Sequence, residues 1–196
     1  PAQFIYNNLV IQTNLIHAAY KSKIKKLIFL GSSCIYPRNS KQPIKEDYLL
    51  SGYLEKTNEP YAIAKIAGIK MCESYRREYG CNFISVMPTN LYGINDNFDR
   101  YDSHVMPALI RKFAEAKESN AKEVEIWGTG KPKREFLFVD DLAEAILTID
   151  KKYNDAKPIN VGFGKDITIK KLSHKLKKIF KFNGKIKFNK DFPDET

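Results

Sequence analysis

Two short apolar runs constrain this chain more than anything else in it: Leu27-Ile28-Phe29-Leu30, closed by Gly31, and Phe83-Ile84-Ser85-Val86-Met87. Neither alternates apolar with polar residues as a strand with one wet face does. Runs this short and this continuous are strands covered on both sides, as in a parallel sheet between helices. The segments before them agree. Residues 4 to 20 carry Ile5, Leu9, Ile16 and Ala19 on a broad apolar helical surface, and Tyr61 to Tyr79 form a second helical stretch. The latter closes with Arg76, Arg77 and then Gly80, basic residues suiting the negative helix end and glycine its left-handed cap. Helix, strand, helix, strand with crossover-length connections describes a right-handed parallel α/β sheet.

A Pro-, Ser- and Asn-bearing loop separates Ser32 from about Pro60, and beyond Tyr92-Gly93 the pattern loosens. A polar loop from Ile94 to Ser103 leads to a helix over Val105 to Ala116, a short strand at Glu123 to Trp127, and a turn at Gly128 to Pro132. Val139-Asp140-Asp141 starts a helix and Pro158 to Gly162 reads as a strand. A second, smaller mixed α/β domain is therefore expected over 94–135 and 164–196, with 1–93 forming the larger domain and 136–163 returning to it.

The hydrophobic content of 43% excludes wholesale disorder in a chain of 196 residues, and the net charge of +10 raises the question of an anionic partner. The lysines cluster in the last third. Between 170 and 180 they surround Leu172, Leu176, Ile179 and Phe180, which reads as an amphipathic surface helix, with a nucleotide diphosphate as the other possible taker of the charge. Aromatic residues are not interleaved as in a stacking platform, so no nucleic-acid partner is expected. No run of eighteen apolar residues and no basic leader is present, so neither a membrane partner nor export is expected and a cytoplasmic location is the default. Cys34, Cys72 and Cys81 are irregularly spaced and odd in number, fitting neither a disulfide framework nor a metal site and leaving a thiol for chemistry.

Tyr61 and Lys65 are four residues apart, hence on one face of a helix. An ammonium beside a phenol stabilises the phenolate and is expected to lower the Tyr61 pKa, and the same lysine can hydrogen-bond a ribose. Alone, such a pair describes an ordinary helix face. Here Gly31-Ser32-Ser33-Cys34-Ile35-Tyr36-Pro37 follows one buried strand and Pro88-Thr89-Asn90-Leu91-Tyr92-Gly93 ends the next. Open parallel sheets place ligand-contacting residues at this carboxyl edge. Cys34 by itself reads as a small buried hydrophobe, and His104 as a capping or surface histidine.

With these motifs the chain resembles the extended short-chain dehydrogenase/reductases of the NAD-dependent epimerase/dehydratase family. Within that family it is similar to the branch converting GDP-4-keto-6-deoxy-D-mannose to GDP-L-fucose. The resemblance rests on Gly31 to Pro37, Thr57-Asn-Glu-Pro-Tyr-Ala-Ile-Ala-Lys65, Met87 to Gly93, Asp96-Asn-Phe98, Ser103-His-Val105 and Arg134-Glu-Phe-Leu137. It implies a Rossmann-type doubly wound parallel sheet with a smaller substrate-binding domain, and NADP(H) as cofactor. It implies a Ser32, Tyr61 and Lys65 triad, with Cys34 and His104 as the acid/base pair that epimerises C3 and C5. Leu30, Gly31, Ser33, Tyr61, Lys65, Pro88, Thr89, Asn90, Leu91 and His104 would line the cofactor. Lys112, Trp127, Arg134 and Asp194 would hold the GDP-sugar, although Asp194 precedes Glu195 where the family more often has glycine. The resemblance also implies a homodimer through helices 4–20 and 61–79.

One expected part is missing. Gly128-x-Gly130 and Gly162-x-Gly164 lack the third glycine of a dinucleotide-binding turn, Lys133 and Ile167 standing in its place, and neither opens the sheet. The first strands of the fold are expected to lie outside this chain, which reads as a fragment incomplete at both ends. Two other readings stay open: another nucleotide-sugar epimerase or dehydratase of the same family, and a catalytically incompetent remnant.

Overall fold

The computed structural model describes residues 1–100, 103–192 and 194. In chain order its elements are α1 (Ala2–Lys21), β1 (Leu27–Leu30), α2 (Glu59–Tyr79), β2 (Phe83–Pro88), β3 (Asn90–Tyr92) and α3 (Val105–Glu118). There follow β4 (Glu123–Trp127), β5 (Lys133–Phe138), α4 (Val139–Lys152), β6 (Ile159–Val161), β7 (Asp166–Thr168), α5 (Ile169–Ile179) and β8 (Lys185–Asn189). The chain divides into two compact units, Pro1–Thr89 with Asp140–Gly162, and Asn90–Val139 with Phe163–Thr196.

The first unit is a parallel sheet in the order β1-β2-β6. Every residue of central strand β2 is buried, which is why its sequence does not alternate. One core joins Ile16 of α1, Phe29 of β1, Ile66 and Ile69 of α2, and Phe83 and Met87 of β2. A second gathers Ile84 and Val86 with Ile149 of α4. Glycine lets the α1, α2 and β1 contact close up: a Cβ on Gly68 would overlap the Phe29 ring and press on Gln12, whose buried amide donates to the Ala64 carbonyl at 2.5 Å. Helix α2 ends as its sequence requires, with Gly80 in the left-handed conformation at φ 69°. The Lys26 ammonium donates to the Ile149, Asp150 and Tyr153 carbonyls, satisfying the negative end of α4. β1 lies at the edge of this sheet.

In the second unit α3 and α5 share a core with the parallel β4-β8 pair, through Leu109, Phe113, Val124, Ile126, Leu172, Leu176 and Phe182. β3, β5 and β7 form a separate mixed sheet. β3, β5, β7 and β8 go beyond the strands read from the sequence. β3 and β7 span three residues each, too short to show a period, and β8 reads Lys-Ile-Lys-Phe-Asn inside a lysine-rich stretch. The expected apolar face of α5 also needs correction at its end: Ile179 is 70% exposed, because the helix stops there and Phe182, beyond a positive-φ Lys181, fills the core instead.

Candidate active site

The first unit builds its site at the carboxyl edge of the sheet. β1 ends at Leu30, and Gly31 donates its N–H to the Val86 carbonyl at 2.8 Å. Adjacent residues of a strand point their polar groups to opposite sides, so the Leu30 carbonyl faces away from β2. The Lys65 ammonium takes it at 3.0 Å. The chain then turns through a single turn of 3₁₀ helix, Ser33–Ile35, whose N-cap is Ser32 in extended conformation, its Oγ accepting from the Cys34 N–H at 3.3 Å. Ser33 contributes a carbonyl to the turn, accepting from the Tyr36 N–H, and Cys34 is exposed. Its exposure goes against the duller alternative, a small buried hydrophobe, and agrees with the combined motifs, which reverse that reading.

Tyr61 stands in the first turn of α2, where Asn58-Glu59-Pro60 starts the helix and proline, second in it, removes no intrahelical hydrogen bond. Its hydroxyl hydrogen-bonds Ser32 and lies near enough to Cys34 to sense the thiol's charge. Ser32, Cys34 and Tyr61 thus form one cluster, with Lys65 a turn farther along α2. The electrostatics depart from the sequence expectation. Burial raises the Tyr61 pKa, a Cys34 thiolate would raise it further, and only the Ser32 hydrogen bond lowers it. Lys65 does not depress it, because its ammonium is drawn to the Leu30 carbonyl, 5.7 Å from the Tyr61 ring centre and 5.3 Å from that of Phe29, where burial lowers its own pKa.

The second strand end is split between the units. Pro88 ends β2 and Thr89 donates its N–H to Val161, whereas Asn90 and Leu91 belong to β3, with the Asn90 amide donating to Glu135. The Thr89 Oγ1 is buried, with no hydrogen-bond partner among the described residues. Such an atom at the carboxyl end of β2 fits a polar ligand group, as the half-buried Lys65 ammonium at the end of β1 fits sugar hydroxyls.

On the second unit His104 is the exposed N-cap residue of α3, making no side-chain cap. Trp127 ends β4, its indole stacked on Phe192 at 4.6 Å and 9°, with the Lys112 ammonium 5.1 Å from its ring centre. Lys112 also donates to the Glu125 carbonyl at 3.2 Å, so it is no ordinary surface lysine. Asp194 accepts from the Thr129 N–H at 2.6 Å and from the Thr129 hydroxyl, contacts that hold its carboxyl below the usual range. These contacts explain the Gly128-Thr129-Gly130 pattern: both glycines have positive φ, and a Cβ on Gly128 would overlap Asp194. Lys112, Trp127 and Asp194 line a cavity of about 30 Å³, room for a water molecule. Arg134 lies half-buried on β5, opposite Ile167 of β7, donating to the Lys133 carbonyl. Among the described residues no group of three or more His, Cys, Asp and Glu could hold a metal ion, and no helix is long and apolar enough to cross a membrane.

Sequence reasoning missed the structural parts of Phe192, Thr129 and Asn160, and it cited Tyr36 only as part of a motif. Asn160 carried a legible signal, a polar residue inside an apolar three-residue strand. Phe192 and Thr129 carried none, since their roles exist only once Phe192 meets Trp127 and Asp194 meets Thr129.

The fold is that of a parallel α/β protein with a polar cluster at the carboxyl edge of its sheet, and residues 1–162 match the model of the NAD dependent epimerase/dehydratase family, to which the chain belongs. Its fold is the Rossmann-like α/β fold of that family. Over its whole length it is 56% identical to "Probable GDP-L-fucose synthase 1" of Oryza sativa subsp. japonica and 52% identical to "GDP-L-fucose synthase" of Escherichia coli (strain K12). It spans 60% and 64% of those relatives. A GDP-L-fucose synthetase from Naegleria fowleri bound to NADP superimposes with a TM-score of 0.92 at 30% identity, covering 100% of this chain and 63% of that one.

Proposed function

We propose that this chain carries the sugar-chemistry residues of an NADP-dependent enzyme converting GDP-4-keto-6-deoxy-D-mannose to GDP-L-fucose, by 3,5-epimerisation and then 4-keto reduction. The observation that carries the reading is the cluster of Ser32, Cys34 and Tyr61. A plain 4-epimerase needs the hydroxyls and the lysine but has no use for an exposed thiol among them.

The C4 carbonyl acidifies the protons at C3 and C5. Cys34, as thiolate, takes a proton from one face of the carbon, and His104 returns one to the other. Between these steps negative charge collects on O4, where Ser32 and Tyr61 donate hydrogen bonds. Tyr61, kept protonated by its raised pKa, gives its proton to O4 during reduction. NADPH, when bound, supplies the hydride. Lys65 and Thr89 would hold its ribose and nicotinamide end, with Leu30, Gly31, Ser33, Pro88, Asn90, Leu91 and His104 as the remaining candidates. For the GDP moiety, Lys112 and Arg134 supply positive charge and Trp127 an aromatic face, while Asp194 acts through the turn it closes.

A homodimer belongs to the same proposal, supported by the exposed Phe4, Tyr6, Ile11 and Leu15 of α1 and Ile63 of α2. So does a cytoplasmic location, which the proposed sugar-nucleotide substrate suggests.

The deciding experiment incubates GDP-4-keto-6-deoxymannose in D2O with the product of the full open reading frame. Deuterium should enter C3 and C5 without NADPH, and Cys34→Ser should abolish that exchange while leaving NADP binding intact. Full fucose formation by Cys34→Ser would favour another epimerase or dehydratase of the family.

A further inference from the structure

The turn that presents Ser32 and Cys34 does not hold itself in place. Its last residue, Tyr36, is 5% exposed, and its phenol donates to Asn160 Oδ1 at 2.5 Å. Asn160 lies in β6 between Ile159 and Val161. Since β1, β2 and β6 run parallel, it sits near the same edge of the sheet as the turn. Its Nδ2 donates to the Ile44 carbonyl at 3.3 Å, and its backbone N–H donates to Glu46 Oε1 at 2.9 Å. Three polar groups of one residue thus reach two separate points of the long loop between β1 and α2. An apolar residue would suffice for the strand; the hydrogen bonds are directed at the loop.

We infer that Asn160 is a positioning residue of the active site, which through Tyr36 and with Glu46 fixes the turn carrying Ser32 and Cys34. The inference rests on the proposed function for what those two residues do. Proton abstraction needs the thiol within hydrogen-bond reach of the carbon acid, and misplacement by roughly 1 Å costs on the order of 100-fold in rate. Tyr36→Phe removes one oxygen and leaves the ring in its pocket, so it separates positioning from folding.

The test compares full-length wild type, Tyr36→Phe, Asn160→Ala and Asn160→Asp in C3/C5 deuterium exchange, with thermal unfolding in parallel. Tyr36→Phe should lose at least about tenfold in kcat with KM for the GDP-sugar unchanged, and its unfolding midpoint should move by only a few degrees. Asn160→Ala should lose as much or more. Asn160→Asp, which keeps the acceptor for Tyr36, should recover part of the loss. Wild-type exchange by a folded Tyr36→Phe would overturn the inference. If the wild type itself exchanges nothing, the proposed function fails; alkylation of Cys34 by iodoacetamide, followed by peptide mapping, then reads the turn without substrate. Equal alkylation rates in wild type and Tyr36→Phe would overturn the positioning role independently.

Discussion

The Lys65 ammonium is bonded to the carbonyl of Leu30, thirty-five residues earlier in the chain, and not to the phenol of Tyr61 four residues before it. In the proposed mechanism this phenol therefore begins as a neutral acid. Burial raises its pKa and also lowers that of Lys65, so both groups are pushed toward their uncharged forms. Reduction measured as NADPH oxidation should therefore be flat through neutral pH on the Tyr61 side and fall only in the alkaline range. Tyr61→Phe should lower it by roughly 10²- to 10⁴-fold, the usual contribution of a positioned proton donor. Deuterium exchange at C3 and C5 should survive in that variant at a reduced rate, since Cys34 remains.

Tyr36 gives the fold a specific alkaline weakness. Burial, with a contribution from Glu46, outweighs the Asn160 hydrogen bond and raises its pKa from 10.0 to about 12. The folded state therefore holds the proton more tightly than the unfolded chain does. The resulting stability is fully present below pH 10.0 and is lost as pH rises toward 12. Urea unfolding at several alkaline pH values should show wild type losing its advantage over Tyr36→Phe across that window; a constant difference would contradict the assignment.

Gly68 sets how closely α2 approaches β1. Gly68→Val would force its methyl groups into Phe29 and Gln12 and should destabilise the protein by about 1 to 3 kcal/mol, as overpacked cores do. Chemical unfolding measures this directly. Gly80→Ala tests a different mechanism, a left-handed cap with open space around it, and should cost about 1 kcal/mol.

Much of this arrangement was legible before any coordinates. The strand at Phe83 announced itself because burial on both faces removes alternation; the one at Leu27 showed the same apolar run, although only Phe29 is buried in it and Leu30 is exposed; and α2 was marked by its arginines and Gly80. Ser32, Cys34 and Tyr61 were legible as a group because strand ends and a helix start converge at one sheet edge. Contacts set by distant sequence were not. Nothing local says that Lys65 prefers a main-chain carbonyl to its neighbouring phenol, that Asn160 anchors a loop more than a hundred residues earlier, or that Asp194 closes the turn at Thr129.

Trp127 is the only tryptophan, so its fluorescence reports directly on the second unit. Stacked on Phe192 and approached by Lys112, it should respond to added GDP with a saturable change in intensity. Lys112→Met should weaken GDP binding by roughly 3- to 30-fold, the range expected for a cation near an aromatic face and a phosphate. An unchanged Kd would remove Lys112 from the nucleotide site.

The bond from Lys65 to Leu30 gives one of these residues a second duty. It ties α2 to the last residue of β1, immediately before the turn that carries Ser32 and Cys34. One cation thus serves as a joint between helix and strand as well as a donor in the proposed chemistry. Loss of Lys65 should therefore appear as a changed alkylation rate at Cys34 as well as slower turnover, so a rate measured on its variants reports two effects at once.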